Sequence, residues 1–471
     1  MRTIIPGNSK ISSIISATVK SVESYKKSSF IVARECEEGH LICNTLTGEL
    51  LLLTSEEEYI LNNANNYQNL SDSNGFYQHG LLVSSDCDET KRTEQLRTIL
   101  QKVDVISKKI NHYNILPTTS CNARCFYCYE SGVKHVTMTQ EVAEQLISFI
   151  CANRDETRPI LISWFGGEPT LGKKWIDYIC ERLSSLQIPF HSEMVSNGYL
   201  FDAELVRKAK EHWRLQGVQI TLDGTEHVYN KIKSYIGIKD NPYIRVLRNI
   251  NLLLEEGIRV DIRLNMDEHN AENLCDLVEE LEERFRGRHN LIVYVRLLKE
   301  NVGFQPILHT NDGYVDLREK YMILRKRLEE DGWPQTKNKY LPQLKIFHCM
   351  ADNPGIVQVT PDGILGKCED EIFDHTIGTL IDGITDIREV QRWKEMAYFE
   401  ECHNCPLLPS CMNILAHCPP RVKGCPTDEK EEIIEKIESL MISSYEQWKL
   451  NEERREAGGF EEDNVISNSN C

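Results

Sequence analysis

Residues 114–130 read NILPTTSCNARCFYCYE, and the reading of this stretch decides the fold. A short apolar run closes on Pro117, Thr118 and Thr119, and Cys121, Cys125 and Cys128 follow at a four-then-three spacing. A tetrahedral zinc site wants four ligands, usually from paired cysteines, so three thiols on one tight loop suit it poorly. Three thiolates can instead hold three irons of a 4Fe-4S cluster and leave the fourth open to an exchangeable ligand. Three structural cysteines gathered by chance are the alternative that the loop alone leaves open.

Downstream, strand-like and helix-like runs alternate. Pro159–Phe165, Phe190–Val195, Gly217–Leu222, Val260–Leu264 and Leu291–Leu298 are short and apolar. Between them Gln140–Cys151, Lys173–Leu186, Ala203–His212, Ile244–Glu256 and Ala271–Glu283 carry helical spacing. Such alternation predicts a parallel sheet with helices outside it. With the run entering the cysteine loop there are six strands, which gives an α/β fold, a partial, TIM-like (β/α)6 barrel. Function in these folds gathers at the C-terminal ends of the strands. Gly166-Gly167-Glu168-Pro169, Ser196-Asn197-Gly198, Asp223-Gly224 and the pair Arg263 and Asn265 all fall there. One glycine-containing turn says little; four motifs in succession, each closing a predicted strand, argue for a site.

The loop and these motifs together resemble the radical S-adenosylmethionine (radical SAM) enzymes over residues 110–430. The resemblance implies that the amino and carboxylate groups of SAM complete the cluster held by Cys121, Cys125 and Cys128. Tyr127 would lie near the adenine, and Gly166, Gly167, Glu168 and Pro169 would receive the methionyl ammonium. Ser196, Asn197 and Asp223, with Arg263 and Asn265, would help hold ribose and carboxylate. The implied activity is reductive cleavage of SAM to a 5'-deoxyadenosyl radical that takes hydrogen from a substrate carbon.

Composition sets bounds on partners. In 471 residues, 54 Lys and Arg stand against 72 Asp and Glu, a formal charge of -18, which argues against nucleic acid or an anionic membrane as partner. A cationic cofactor or a basic peptide fits better. Neither a cleavable leader nor an 18-residue apolar run is present in the sequence given, which predicts a cytoplasmic protein with reduced thiols. The 17 cysteines are then read as metal ligands or small hydrophobes rather than as a disulfide framework. Cys36, Cys43, Cys87, Cys151, Cys180, Cys275 and Cys471 are scattered singly, and most of them read as small buried hydrophobes.

The rest form a second dense group: Cys349, Cys368, Cys402, Cys405, Cys411, Cys418 and Cys425. Cys402 and Cys405 also match half of a zinc ribbon. Beside a radical SAM loop, the group resembles the SPASM extension with its two auxiliary 4Fe-4S clusters. Carried over residue by residue, Cys349, Cys368 and Cys418 would hold the first auxiliary cluster, and Cys402, Cys405, Cys411 and Cys425 the second. Six residues separate Cys411 from Cys418 where that family usually has three, so Cys418 and Cys425 could exchange places in this partition. Glu369 and Asp370 lie where sulfatase-maturing relatives place an acidic base. The expected cofactors are therefore three 4Fe-4S clusters and SAM.

In front of the barrel, Ser29–Ala33, His40–Cys43 and Glu49–Leu53 read as strands, Thr54 as a helix cap, and Gly75–Ser84 as the wing hairpin of a small winged helix. This order resembles the peptide-recognition domains of enzymes that modify ribosomally made peptides; a cap that only covers the barrel is the alternative. The expected division is 1–100 for this domain, 101–300 for the barrel, 301–344 for a helical bridge, 345–430 for the SPASM segment and 431–471 for a helix and fraying tail. The implied function is a peptide maturase that installs a crosslink, foremost a Cys thioether, on a precursor peptide. Electrons would come from a reduced flavodoxin/ferredoxin-type donor. An anaerobic sulfatase-maturing enzyme forming formylglycine is the runner-up.

Overall fold

The computed structural model describes residues 1–17, 24–64, 75–104, 109–298, 311–330, 333, 341–371, 373–418, 425 and 427–456. Residues 301–310, 331–332 and 334–340 of the bridge expected between 301 and 344, and the tail beyond 456 with Cys471, lie outside the described residues. The chain divides into two units. The first combines Met1–Ile106, Lys337–Cys349 and Glu395–Cys471, and the second Ser107–Thr336 and Met350–Lys394.

In the first unit, β1 (Arg2–Ile5), α1 (Ser9–Ala17), β2 (Tyr25–Lys27), β3 (Ile31–Cys36), β4 (Gly39–Asn44), β5 (Glu49–Leu53), α2 (Ser55–Asn62), β6 (Leu82–Ser84) and α3 (Glu89–Asp104) follow in order. Four of the strands form an antiparallel sheet in the order β1-β5-β4-β3. The run of leucines in β5 has a reason. Leu50 and Leu52 enter one apolar core and Leu51 and Leu53 another, so both faces of the strand are buried and no polar alternation is needed. Thr54 caps α2 as expected, accepting from Glu57 N while the Glu57 carboxylate accepts from Thr54 N at 2.9 Å. The wing hairpin is not formed. Phe76 to Leu81 close a turn and the single strand β6 pairs with β2, because Leu81 and Leu82 are drawn into the core that holds Phe76.

The second unit carries the six expected βα repeats: β7 (His112–Ile115), α4 (Gln140–Asn153), β8 (Ile160–Trp164), α5 (Lys173–Ser185), β9 (Phe190–Ser196), α6 (Ala203–Glu211), β10 (Leu215–Leu222), α7 (Glu226–Lys233), α8 (Pro242–Glu255), β11 (Arg259–Met266), α9 (Ala271–Phe285), β12 (Leu291–Leu297) and α10 (Asn311–Glu330). Neighbouring strands from β7 to β12 are all parallel. Along β9, Phe190, Ser192, Met194 and Ser196 are buried while the alternate residues are half-buried, so one face meets the helices and the other lines the concave side. Each fully buried Leu, Ile or Phe contributes ~1.5–3 kcal/mol, which is why the run of apolar residues fixes the register.

Two features exceed the sequence reading. The short helix α7 follows the fourth strand, and the sheet continues beyond β7. β13 (Ile356–Val359) pairs parallel with β7, and β14 (Ile364–Gly366), β15 (Thr376–Thr379) and β16 (Gly383–Ile384) extend it antiparallel, with α11 (Ile387–Arg392) after them. The hairpin of β13 and β14, turning at Pro361-Asp362-Gly363, is thus also a sheet extension. The stretch 345–430 is shared between the units, with 350–394 in the second and 395–418 in the first. There α12 (Thr427–Glu456) runs on past the expected fraying point at 451. Arg97, 1% exposed, binds the carbonyls of Lys345 and Pro409 at 3.0 and 3.4 Å within the first unit.

Candidate functional site

Parallel register brings the strand ends level. Ile115 lies opposite Trp164, Trp164 opposite Met194, Ser196 opposite Ile220, and Leu222 opposite Leu264. The residues after each end therefore share one edge of the sheet, and the cysteine loop crosses it. Gly167 N–H donates to Thr118 O at 3.2 Å and Glu168 N–H to Ser120 O at 2.9 Å. A Cβ on Gly167 would stand 2.5 Å from Ser120 O and 2.6 Å from Thr119 O, so glycine is required for the two loops to approach this closely. On the other side the Thr119 hydroxyl donates to Lys134 O at 2.7 Å and that of Thr118 to Val136 O at 3.0 Å.

Cys121, Cys125 and Cys128 are half-buried and feel one another electrostatically. Burial pushes the Cys121 thiol up to about 12, with Glu168 and the other two sulfurs adding to the effect. Ala123 N–H points at Cys121 Sγ at 3.4 Å, and Glu130 N–H points at Cys128 in the same i+2 arrangement. Three half-buried thiols, with backbone donors already approaching the sulfurs of Cys121 and Cys128, form a donor set that a metal would deprotonate outright. Two polar atoms beside them are shut off from solvent without a hydrogen-bond partner among the described residues: Asn122 Nδ2, next to Cys121 in sequence, and the Tyr129 hydroxyl, next to Cys128. Orphaned donors of this kind fit a site that takes a polar ligand.

The strand-end motifs do assemble around this loop. Glu168 is fully buried, and its carboxylate accepts from Thr170 N and Oγ1, from Ser196 Oγ at 2.8 Å and from Asn197 N at 2.8 Å. Burial raises its carboxyl above the ordinary range even so. With its oxygens engaged, this carboxylate splices the ends of β8 and β9, and an ammonium would meet backbone carbonyls here. Asn197 Nδ2 donates to Asn122 Oδ1 at 2.7 Å, tying the third strand to the cysteine loop. Tyr127 turns its hydroxyl inward: it lies 2.9 and 3.0 Å from the two Asp223 oxygens and accepts from Lys233 Nζ at 2.9 Å. At the fifth strand, Arg263 Nε donates to Asn265 Oδ1 at 2.8 Å, and Asn270 Nδ2 staples Asn265 O and Asp223 O at 2.7 and 2.9 Å.

Beside Arg263 is a group of acids. Burial and then Asp370 push Glu369 up to about 7, against the pull of the Arg263 guanidinium. Glu130, two residues past Cys128, is pushed up to about 7 by burial and then by Glu369. Cys368 is pushed up to about 12 by burial, and its sulfur receives N–H groups from Asp370 and Glu371. Glu369, Asp370 and Arg263 are thus brought together at the mouth, with Glu130 added.

Sequence reasoning missed Lys233, Asn270, Asn122 and Glu130. Lys233 had a signal: it sits four residues after Tyr229, so a helix burying the tyrosine also buries the lysine. The asparagines carry none, since their roles lie in side-chain bonds to distant backbone.

In the first unit, Cys402 and Cys405 are buried among Leu408, Ile414 and Met441. Cys411 is raised by burial and feels Cys405, Cys402 and Cys425; Cys425 in turn feels Cys405 and Cys402. These four sulfurs therefore gather. Of the other proposed set, Cys349 and Cys418 belong to the first unit and Cys368 to the second. His403 bonds Thr90 at 3.2 Å and His417 bonds Glu395 at 2.6 Å. Among the described residues no three His, Cys, Asp or Glu side chains converge as the ligands of a single metal ion. No helix among them is long and apolar enough to cross a membrane.

Residues 115–281 match the model of the Radical SAM superfamily. The Fe-coproporphyrin III synthase of Methanosarcina barkeri is 26% identical over 46% of this chain and 52% of its own length, so the chain spans about half of that relative. Among solved structures, anSMEcpe with bound AdoMet and Cp18Cys peptide is similar at a TM-score of 0.54 and 14% identity, over 71% of this chain and 99% of that one. Streptococcus suis SuiB bound to precursor peptide SuiA is similar at 0.50 and 16%, over 85% and 100%. At such identities the likeness is one of fold.

Proposed function

We propose that this chain, whose residues 115–281 form a radical SAM domain, is a maturase of a ribosomally synthesised precursor peptide that installs an intramolecular crosslink, foremost a Cys thioether. The observation that carries the reading is the single hydrogen-bonded assembly of the three-cysteine loop with the strand-end motifs, through Gly167–Thr118, Asn197–Asn122 and Tyr127–Asp223. When bound, a reduced 4Fe-4S cluster with SAM supplies cleavage of SAM to methionine and a 5'-deoxyadenosyl radical that takes a hydrogen atom from a substrate carbon. Cys121, Cys125 and Cys128 would hold that cluster. Backbone of Gly166–Pro169, with Ser196, Asn197, Asp223, Arg263 and Asn265, would orient the SAM, and Tyr127 would pack near its adenine. Cys402, Cys405, Cys411 and Cys425 would hold one auxiliary cluster, and Cys349, Cys368 and Cys418 the other. A reduced flavodoxin/ferredoxin-type protein would supply the electron.

Peptide as substrate is supported by the two similar folds, both described with peptides bound, and by the net negative charge. The N-terminal sheet of the first unit would recognise the precursor. Formylglycine formation in a sulfatase is the second reading; what favours it is Glu369, an acid at the barrel mouth able to take a proton from a Cys or Ser side chain. Anaerobic reconstitution followed by incubation with SAM, dithionite and any short Cys-containing peptide found encoded beside the gene tests the proposal. The expected outcome is 5'-deoxyadenosine together with a peptide lighter by two hydrogens. A formylglycine product from a sulfatase peptide, with the encoded peptide untouched, would replace it by the second reading.

A further inference from the structure

We propose that Lys233 is the positioning residue of the three-cysteine loop, its ammonium wedged between Asp223 and the Tyr127 hydroxyl and its carbonyl taking the Arg124 N–H, so that the loop keeps one register against the strand ends. The Lys233 side chain is 4% exposed and that of Asp223 is 0% exposed, with 3.0 Å between Nζ and Oδ2. Nζ lies 2.9 Å from the Tyr127 hydroxyl, and Lys233 O accepts from Arg124 N at 2.8 Å. Side chain and main chain of one residue thus grip the loop on both sides of Cys125.

The arrangement is expensive for what it adds to stability. An ammonium and a carboxylate taken out of water regain little net free energy over apolar residues of the same size, and the better-attested use of such a pair is to fix register. The chain around Lys233 shows the same emphasis. Ser234 adopts a left-handed conformation, φ 45°, uncommon for a residue with a Cβ, and this sends Ile236 N–H to Asn122 O at 2.9 Å. A helix that merely had to end could use glycine there and an apolar residue at 233. The Asp223, Tyr127 and Asn122 that receive these contacts are the residues that connect the loop to the fourth and third strands.

The consequence for catalysis rests on the radical SAM reading; the clamp itself does not. Hydrogen exchange in the metal-free full-length protein reads the clamp directly. Tyr127→Phe removes one hydroxyl from the wedge, and exchange at the amides of Arg124 and Ile236 rises about fivefold, the equivalent of one hydrogen bond of ~1 kcal/mol. Amides of β9 keep their rates. Lys233→Met combined with Asp223→Asn removes both charges together, leaving no uncompensated buried ion, and produces a larger acceleration at the same amides. In reconstituted protein matched for iron, that double variant loses more of the SAM-induced change in the EPR spectrum of the reduced cluster than Asp223→Asn alone, which removes only the SAM contact expected of Asp223. Unchanged exchange in Tyr127→Phe, or a double variant that keeps as much of the SAM-induced change as Asp223→Asn alone, overturns the proposal. If the double variant also exposes β9, the exchange rates of Tyr127→Phe alone decide. Failure of the radical SAM reading looks different: wild-type protein takes up no iron while Tyr127→Phe still loosens the loop.

Discussion

The two cysteine groups of this chain are seated in different ways. Cys121, Cys125 and Cys128 ride on a loop tied by backbone bonds to residues 136, 167, 168 and 233, each in another element or turn of the second unit. Cys402, Cys405 and Cys411 ride on or just after single 3-10 turns, Glu400–Asn404 and Leu408–Ser410, whose own bonds reach back three residues, Cys402 N to Phe399 O at 3.1 Å, Cys405 N to Cys402 O at 3.2 Å and Leu408 N to Cys405 O at 3.1 Å, while longer backbone bonds run from Lys345 N to Pro409 O at 3.0 Å, from Ala397 N to Ile414 O at 2.9 Å and from Ala416 N to Glu395 O at 2.9 Å. The first seat is built by the sheet before any metal arrives. The second has no sheet beneath it, only these few ties, and depends more on side-chain packing and on whatever the sulfurs hold, as in small metal-folded modules.

The sharpest way to break this contrast is to remove sulfurs from each seat. Cys121→Ala, Cys125→Ala or Cys128→Ala should reduce 5'-deoxyadenosine formation to background while the barrel stays folded by circular dichroism. Cys402→Ala with Cys405→Ala should leave SAM cleavage measurable, abolish the modified peptide and lower iron content by about a third, given three clusters of equal size. Persistent SAM cleavage after loss of Cys125 would put the radical chemistry elsewhere.

Gly167→Ala attacks the same seat through its backbone. The added methyl would need at least several tenths of an ångström from Ser120 O and Thr119 O, both main-chain atoms with nowhere to go. A misplacement of about 1 Å can cost ~100-fold in rate, so SAM cleavage should fall by one to two orders of magnitude with cysteine content unchanged. A rate within twofold of wild type would mean that the approach of the two loops is slack.

The contrast also explains what could be read from the sequence. Strand periodicity, helix spacing and the glycine-bearing strand ends are local, and they place six strands and the loop correctly. The partners of Glu168 cannot be read the same way: a GGEP motif says that backbone comes close to something, and only the register of β8 against β9 reveals Ser196 and Asn197 on the carboxylate. Residues 75–84 mislead because a Gly-aromatic run followed by apolar residues is compatible with a hairpin, and tertiary burial of Phe76, Leu81 and Leu82 decides otherwise. The extension of the sheet by β13 is invisible since its partner, β7, lies more than 200 residues earlier, and nothing in a strand's own sequence names its neighbour.

Metal removal should separate the two seats thermodynamically. In iron-free protein, amides of residues 112–119 and 160–168 should keep slow exchange, being bonded within the sheet and between the crossing loops. Amides of 399–415 should speed up by about tenfold or more relative to the reconstituted protein, since about 1.4 kcal/mol of lost local stability suffices for that factor. Equal acceleration in both stretches would show that the first seat is metal-organised as well, and the difference drawn from their hydrogen bonding would collapse.

The smallest expected effect concerns the far end of the strand that delivers the first loop. His112 begins β7, its Nε2 lies 2.8 Å from Ser163 Oγ, and burial lowers its pKa below the ordinary 6.5, with the nearby Glu193 acting against this and His191 with it. The folded protein therefore resists a proton that the unfolded chain accepts. At pH above 6.5 neither state carries it and His112 contributes no pH dependence; as pH falls below that value the unfolded state is favoured and stability declines. Glu130 and Glu369, both pushed up to about 7 by burial, act with the opposite sign, because their folded forms hold protons that the unfolded chain has released. The net slope can therefore be shallow, and His112→Gln is the informative comparison. Between pH 7 and 5 the variant should lose less stability in urea than wild type, while its exchange rates at 399–415 follow wild type. A wild-type-like acid slope in the variant would mean that His112 takes up its proton within the folded sheet without strain.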